Sequence, residues 1–184
     1  MIRNLLYVLY LVVAVLLSLI AGVLPYYILK LLRLRGAAEF YMRTVGKFFH
    51  RIIVLGTGCR IEVEGLANLP RSTTRLCFVS NHQSLFDIPL IFGYIPVNAG
   101  FVAKRELLWV PPVNVWIAAI GSVYINRKSA HSAIESIKRG VELIKSGHPL
   151  IIFPEGTRSR SSKMASFKAG SLKLALRSEA VIVP

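Results

Sequence analysis

The N-terminal part of the chain contains one apolar run that limits what the whole chain can fold into. The 26 residues from Asn4 to Leu29 include no charged side chain. About 20 apolar helical residues suffice to cross the hydrocarbon core of a bilayer, whereas the apolar region of a cleaved secretory signal is usually shorter. We therefore expect an N-terminal membrane-associated helix. Pro25 predicts a kink or an end of this helix, so a membrane-spanning segment and one lying within a single leaflet both remain open.

The charge balance indicates the partner that the rest of the chain meets. The 184 residues include 23 Lys and Arg against 9 Asp and Glu, which gives a formal net charge of +14. A nucleic-acid-binding protein would carry its basic residues interleaved with aromatics on a recognisable module. The apolar N-terminus indicates a phospholipid membrane instead, and no nucleic acid is expected as a partner. Lys30, Arg33 and Arg35 follow the apolar run and only Arg3 precedes it, so the bulk of the protein is predicted on the cytoplasmic side of the cell membrane.

A second helix is predicted between Gly36 and the Gly56-Thr57-Gly58 segment. Its apolar residues recur at steps of four and three, at Tyr41, Val45, Phe48, Ile52 and Leu55. Basic residues occupy the other faces, which is typical of a helix at an anionic membrane surface. Packing of this helix against the globular domain is an equally open alternative. Residues 1–57 are thus predicted to be membrane-anchoring or interfacial helices, and residues 58–184 a separate domain.

Short apolar runs alternate with helical stretches in residues 58–184. Strands are predicted at 60–64, 75–80, 99–103, 121–126, 149–153 and 181–183, and helices near 85–94, 105–119, 130–146 and 168–178. The helix at 105–119 is expected to be interrupted by Pro111-Pro112. Such alternation predicts an α/β domain with a largely parallel central sheet flanked by helices. In such domains functional groups gather at the carboxyl ends of the strands.

A histidine and an aspartate follow the strand predicted at 75–80. His82 and Asp87 are five residues apart, which would place them on different faces of one continuous helix. Ser84 has the pattern of a helix N-cap, so the next helix is predicted to begin at Ser84 or Leu85, with His82 in the turn before it. A carboxylate can then hold one ring nitrogen of His82 and leave the other to act as a general base. A histidine beside an ordinary capped helix is the alternative.

Cations follow three other predicted strands. Lys104, Arg127 and Arg158 each come shortly after a strand, so a parallel sheet would bring them to one edge. Cations that share a cleft repel one another unless an anion lies between them, and the donor fork of arginine suits phosphate. Solvated charges at strand ends are the alternative for any one of them. Their repetition predicts a phosphate site beside His82.

The segment after the strand at 149–153 supplies further polar groups. Glu155 can accept hydrogen bonds from a substrate hydroxyl or hold an arginine, Gly156 permits a close backbone approach, and Thr157 offers a hydroxyl. Residues 167–171 are predicted to open the last helix, where backbone N–H groups and Lys168 favour a second phosphate.

The remaining histidines and the two cysteines show no spacing typical of a metal or redox site. His50, His131 and His148 are expected to be structural or surface residues. Cys59 and Cys77 lie in or beside predicted strands and are expected to be buried, inert thiols in a reduced compartment. No metal or cofactor is predicted.

Four blocks in chain order carry a resemblance to a known family. They are Asn81-His82 with Asp87 (a His-x4-Asp motif), Gly121 to Arg127, Phe153 to Ser159, and Val181 to Pro184. The region from about Ile61 onward resembles the glycerolipid acyltransferases, and most closely the bacterial 1-acyl-sn-glycerol-3-phosphate acyltransferases. Two departures are visible. Asn126 stands where an acidic residue is common, and the sequence stops at the fourth block, so a truncated chain is expected.

The resemblance implies a membrane-bound acyltransferase of phospholipid biosynthesis. An acyl group would pass from acyl-coenzyme A or acyl-acyl carrier protein to the 2-hydroxyl of lysophosphatidic acid, giving phosphatidic acid. His82 would be the general base and Asp87 its orienting carboxylate. The phosphate would be bound by Lys104, Arg127 and Arg158, and the glycerol by Glu155 and Gly156. Thr157 would also belong to the substrate-binding residues.

Two other functions are compatible with the same residues. The acceptor of the acyl group would be glycerol-3-phosphate or another lysophospholipid in the first. In the second, the protein would be a non-catalytic membrane protein that binds anionic lipids through its basic residues.

Overall fold

The chain forms two compact units. The computed structural model describes residues 2–70, 75–111, 113–127, 129–168 and 170–184. One unit consists of the residues up to Leu66 together with Phe86–Pro96, and the other of Ala67–Leu85 and Val97–Pro184. The predicted α/β class is confirmed, while the predicted boundary between residues 57 and 58 stays a prediction.

The first unit is helical. Its elements are α1 (Ile2–Ser18), a π-helical segment (Leu19–Val23), α2 (Leu24–Leu31), α3 (Arg35–Leu55) and α4 (Asp87–Tyr94). Helix α3 packs against α1, α2 and α4. The helix from Asn4 to Leu31 has a mean hydropathy of 2.7 and is long and apolar enough to cross a bilayer. This agrees with the predicted apolar N-terminal helix.

Pro25 does not end the N-terminal helix, which continues to Leu31 after the π-helical segment. A proline has no N–H to donate to the carbonyl four residues earlier in a helix. Here that carbonyl belongs to Ala21, and the hydroxyl of Tyr41 on α3 donates a hydrogen bond to it. The hydroxyl of Tyr10 likewise donates to the carbonyl of Ile52. Two tyrosines thus join the N-terminal helix to α3.

The residues of α3 that are buried within the protein differ from the predicted apolar stripe. Its buried residues are Ala38, Met42, Gly46, Phe49 and Val54. The predicted apolar stripe instead includes Phe48 and Leu55, which are 60% and 65% exposed. Small residues such as Ala38 and Gly46 let neighbouring helices approach closely, and a search for large apolar side chains passes over them. The predicted end of the helix is confirmed, since Gly56 forms its C-cap.

The second unit is built on a parallel sheet of five strands. These are β1 (Leu76–Val79), β2 (Gly100–Lys104), β3 (Val123–Ile125), β4 (Leu150–Ile152) and β5 (Val181–Val183). Their order is β3-β2-β4-β1-β5, and every neighbouring pair is parallel. The strand predicted at 60–64 is wrong, because these residues form no strand and Val63 in their middle is 42% exposed.

The helices of the second unit agree with the prediction in two of three regions. Helix α6 (Ala130–Lys145) is confirmed, and the Ser129 side chain caps it by accepting a hydrogen bond from the amide of Ser132. The predicted helix 105–119 is interrupted as expected, into a 3-10 helix (Arg105–Trp109) and α5 (Val113–Ala119). Helix α7 (Lys173–Ser178) begins five residues later than predicted. A buried apolar cluster lies among these strands and helices, formed by Cys77, Val123, Ile144, Leu150, Ile152, Leu174 and Ala175.

Gly100→Ala is expected to destabilise the sheet unit. A Cβ at Gly100 would lie 2.5 Å from the carbonyl oxygen of Gly121 and 3.0 Å from Leu150 Cδ2. The Gly121 carbonyl belongs to a turn and cannot rotate away as a side chain would. Overpacking of this kind costs about 1–3 kcal/mol, which thermal unfolding would report as a lower Tm. Gly170→Ala is the matched control, because a Cβ there meets no atom within 4 Å. Equal Tm values for the two variants would contradict the prediction.

Candidate active site

The predicted site residues of the second unit follow the carboxyl ends of its strands. His82 comes after β1, Lys104 ends β2, Arg127 comes after β3, and the segment from Glu155 to Arg158 comes after β4. Strand β4 lies between β1 and β2 in the sheet. The segment after β4 therefore leaves the sheet between the segments that carry His82 and Lys104.

His82 is held by the residues that follow β4. Its backbone N–H donates to Oε1 of Glu155 at 2.7 Å, and its carbonyl accepts the N–H of Ser159 at 2.8 Å. Its ring stacks on the ring of Phe153, with centroids 4.1 Å apart and planes at 19°. Phe153 in turn stacks on Phe101 at 6.0 Å. The segment from Phe153 to Ser159 thus contacts both the peptide groups and the ring of His82.

Glu155 is the most buried charged residue of the site, with 1% of its surface exposed. Its second oxygen, Oε2, accepts the backbone N–H of Ala165 at 2.9 Å. The sequence predicted contacts with a substrate hydroxyl or an arginine, whereas both oxygens accept backbone amide protons. Among the residues that the structure describes, no Lys or Arg forms an ion pair with this carboxylate.

A cavity of about 420 Å³ opens beside the turn at Gly156. Its walls are mainly apolar and come from strands β2 to β4 and helices α6 and α7; they include Val102, Ile125, Ile137, Ile152 and Leu174. Arg127, Lys168 and Ser171 contribute its polar lining. The cavity thus combines an apolar interior with two cations.

Gly156 is required where the cations approach the turn. Its φ is +72°, in the left-handed region that favours glycine. A Cβ there would lie 3.3 Å from Lys168 Cγ and 4.0 Å from Arg127 Nη1. The close approach to the backbone of Gly156 that the sequence predicted is therefore present. The side chains that approach it are those of Arg127 and Lys168.

Burial and one carboxylate set the electrostatics of Arg127. Burial lowers the pKa of this guanidinium from its usual value, and the nearby Glu106 carboxylate acts in the opposite direction. Glu106 also forms an ion pair with Lys104, with Nζ and Oε1 3.1 Å apart. Both side chains of that pair are about half exposed, so the pair contributes little stability. Sequence reasoning missed Glu106, although it lies only two residues beyond Lys104.

The helix start predicted at residues 167–171 is wrong. Helix α7 begins at Lys173, so the described residues of this segment do not form a helix N-terminus, while Ala169 lies outside the described residues. The amide of Lys168 donates to the carbonyl of Pro154 at 2.9 Å, and the amide of Ser171 donates to the carbonyl of Lys168. These two amides are already used, while Lys168 and Ser171 themselves line the cavity.

Thr157 and Arg158 lie on the turn beyond Gly156. Thr157 is exposed and Arg158 is half-buried. Neither belongs to the lining of the cavity. Their predicted roles in substrate binding remain predictions.

Asp87 belongs to the other compact unit. It is the first residue of α4, where a carboxylate is favourable because it faces the positive end of the helix dipole. The predicted start at Ser84 or Leu85 is wrong, since Leu85 and Phe86 form a turn and no side chain caps the helix. The prediction that the chain turns between His82 and Asp87 is confirmed.

The positions of the remaining histidines and of Cys77 agree with the expectations, whereas that of Cys59 does not. His50 stacks on Phe92, His131 is exposed and pairs with Glu135, and His148 packs against Gly121. Cys77 is buried as expected, and burial raises the pKa of its thiol to about 12. Cys59 is exposed, so the expectation of burial was wrong there because the strand predicted beside it does not form. Across the described residues, no group of three or more His, Cys, Asp or Glu could hold a metal ion.

Comparison with known proteins gives consistent matches. The profile of the family described as Acyltransferase matches residues 60–184. The chain is 35% identical over 125 residues to the chloroplastic 1-acyl-sn-glycerol-3-phosphate acyltransferase LPAT1 of Arabidopsis thaliana, which covers 68% of this chain and 35% of that protein. It is also 35% identical over 128 residues to the 1-acyl-sn-glycerol-3-phosphate acyltransferase of Borreliella burgdorferi, which covers 69% of this chain and 50% of that protein. The chain thus spans about a third to a half of these curated relatives.

One solved structure resembles the whole chain. It is the crystal structure of the 1-acyl-sn-glycerophosphate (LPA) acyltransferase PlsC from Thermotoga maritima. The TM-score is 0.80 at 32% sequence identity, and the match covers 100% of this chain and 73% of that one.

Proposed function

Because the chain belongs to the acyltransferase family, we propose that it transfers a fatty acyl group to the 2-hydroxyl of lysophosphatidic acid and so forms phosphatidic acid. The names of its relatives support this acceptor. The observation that carries the proposal is the set of contacts that hold His82. Its ring stacks on Phe153, and its peptide groups are bound by the turn that borders the cationic cavity. The proposed base and the cationic cavity thus both adjoin the segment after β4.

His82 acts as the general base in the proposed reaction. Its imidazole takes the proton of the 2-hydroxyl while the oxygen attacks the carbonyl carbon of a thioester, either acyl-coenzyme A or acyl-acyl carrier protein. A carbon–oxygen bond forms, and collapse of the tetrahedral intermediate breaks the carbon–sulfur bond. The imidazolium returns the proton to the departing thiolate. A thiolate is a good leaving group, so no covalent enzyme intermediate is needed.

Asp87 is proposed to stabilise the imidazolium that forms on His82. A carboxylate near a protonated histidine fixes the ring tautomer and favours the charged form. The spacing of five residues and the turn at Leu85 and Phe86 support this role.

The phosphate of the acceptor is proposed to bind at the mouth of the cavity. Arg127 supplies a planar donor fork there, and Lys168 adds a second charge beside it. Lys104 and Arg158, which follow neighbouring strands, complete the predicted set of cations. The glycerol would then lie along the turn that contains Gly156 and Thr157.

Membrane attachment is part of the proposal. The apolar helix Asn4–Leu31 would anchor the protein, with the sheet unit on the cytoplasmic side of the cell membrane. Holding the site at the bilayer avoids moving acyl chains into water, which costs about 0.8 kcal/mol per methylene group.

A competition assay tests the proposal. The chain, purified in detergent and placed in phospholipid nanodiscs, would receive both thioester donors and three acceptors: lysophosphatidic acid, glycerol-3-phosphate and lysophosphatidylcholine. Mass spectrometry of the products is expected to show phosphatidic acid in the largest amount. Preference for either of the other acceptors would overturn the substrate assignment. Lipid binding without any acyl product would favour a non-catalytic lipid-binding protein.

A further inference from the structure

We propose that Glu155 is a positioning residue, whose buried carboxylate fixes the peptide group of His82 without touching the substrate. The inference rests on the proposed function, because it explains how the base of that reaction is held. It differs from the role in glycerol binding that the sequence predicted for Glu155.

The burial of Glu155 requires partners within the protein. A buried carboxylate is unstable unless hydrogen bonds replace its water. The amides of His82 and Ala165 supply such bonds, at 2.7 and 2.9 Å from the two oxygens. Bonds from N–H groups to an ionised carboxylate are among the stronger hydrogen bonds in proteins. The Glu155 carboxylate therefore links the backbone of two segments, one containing His82 and the other containing Ala165.

The same short segment restrains His82 at three points. Glu155 binds its N–H, Ser159 binds its carbonyl, and Phe153 supports its ring. His82 lies outside any helix or strand, so regular secondary structure does not fix its backbone. If Glu155 releases the N–H, the peptide before His82 is free to rotate, and the ring moves with it.

Lys168 does not depend on Glu155 to the same degree. Its own amide donates to the carbonyl of Pro154, and the hydroxyl of Ser171 donates to the same carbonyl at 2.8 Å. Lys168 thus keeps the hydrogen bond of its backbone amide to Pro154 when Glu155 is substituted. A change at Glu155 is expected to affect the base more than the phosphate site.

The kinetic test uses Glu155→Gln. The amide keeps the size of the side chain but has a single oxygen, and its NH2 group opposes one of the two backbone donors. We expect kcat to fall about 10- to 100-fold, since a displacement near 1 Å has an effect of that order, while the KM for lysophosphatidic acid stays within about threefold. Glu135→Gln is the matched control, because Glu135 is an exposed residue of α6, and it should leave both constants unchanged. A raised KM with an intact kcat would overturn the inference and favour contact with the substrate.

A measurement on the unaltered protein keeps the inference testable if the variant does not fold. Amide hydrogen exchange, read at single residues by NMR, is expected to show that the His82 N–H is protected although it lies outside the sheet. Rapid exchange of that amide would overturn the inference. This result is independent of catalysis: absence of acyl transfer by the wild-type chain would refute the proposed function, whereas an active wild type with an equally active Glu155→Gln variant would refute the positioning role alone.

Discussion

His82→Ala is expected to lower kcat for acyl transfer by about 10²- to 10⁴-fold, the usual contribution of a general base. The KM for lysophosphatidic acid should change little, because the cations proposed to bind the phosphate lie on other segments. The hydrogen bonds of residue 82 to Glu155 and Ser159 use backbone groups, so an alanine retains them. Initial rates over a range of acceptor concentrations would separate the two constants.

His131→Ala is the control for this variant. His131 is exposed on α6 and pairs only with Glu135 at 3.5 Å among the ion pairs of the described residues, so its loss should leave the rate unchanged. Thermal unfolding of both variants would show whether the protein remains folded. Full activity of His82→Ala would remove the general-base assignment.

Arg127→Met is expected to reduce kcat/KM for lysophosphatidic acid by about 10- to 150-fold, which corresponds to the 1.5–3 kcal/mol of a hydrogen bond to a charged group. Methionine keeps much of the side-chain length but removes the charge and the donor fork. Burial lowers the pKa of Arg127, and a bound phosphate would oppose that effect because it stabilises the guanidinium.

A comparison of two acceptors separates binding from structural damage. With monoacylglycerol, which has no phosphate, Arg127→Met and the wild type should have similar kcat/KM values. Lys145→Met, at the exposed end of α6, is the matched control and should behave as the wild type with both acceptors. An equal loss with the two acceptors would indicate that Arg127 supports the fold and does not bind phosphate.

The centre of the sheet was predictable because β1 and β4 are buried on both faces. Continuous apolar runs such as Leu150–Ile152 identify such strands even without an alternating pattern. Helix α6 was predictable because an apolar stripe and the capping residue Ser129 agree. The strand predicted at 60–64 does not form. An alternating pattern of apolar and polar residues does not provide a neighbouring strand, and a lone strand is not stable.

The early part of the predicted last helix failed for a different reason. Three residues of this region contact the turn after β4: Ala165 binds Glu155, and Lys168 and Ser171 both bind Pro154. These tertiary contacts replace the first helical turn. No local sequence pattern predicts these tertiary contacts.

The candidate site was predictable as a set of residues but not as a set of contacts. Motifs placed His82, Arg127 and Glu155 after strands, and parallel pairing brought their segments to one edge. One of the two partners of Glu155, the backbone amide of His82, lies 73 residues away along the chain. Every residue except proline has such an amide, so side-chain chemistry cannot reveal which one is bound.

The order of the strands determines when the site can first exist during synthesis. Strand β1 leaves the ribosome before both of its neighbours, β4 and β5, which follow β2 and β3 in the chain. Until they emerge, β1 has two open edges, and open edges invite aggregation. The apolar helix of the first unit emerges before any strand. A nascent chain thus presents its apolar helix long before the candidate site is complete, and His82 lacks its hydrogen bond to Glu155 until Glu155 has been added.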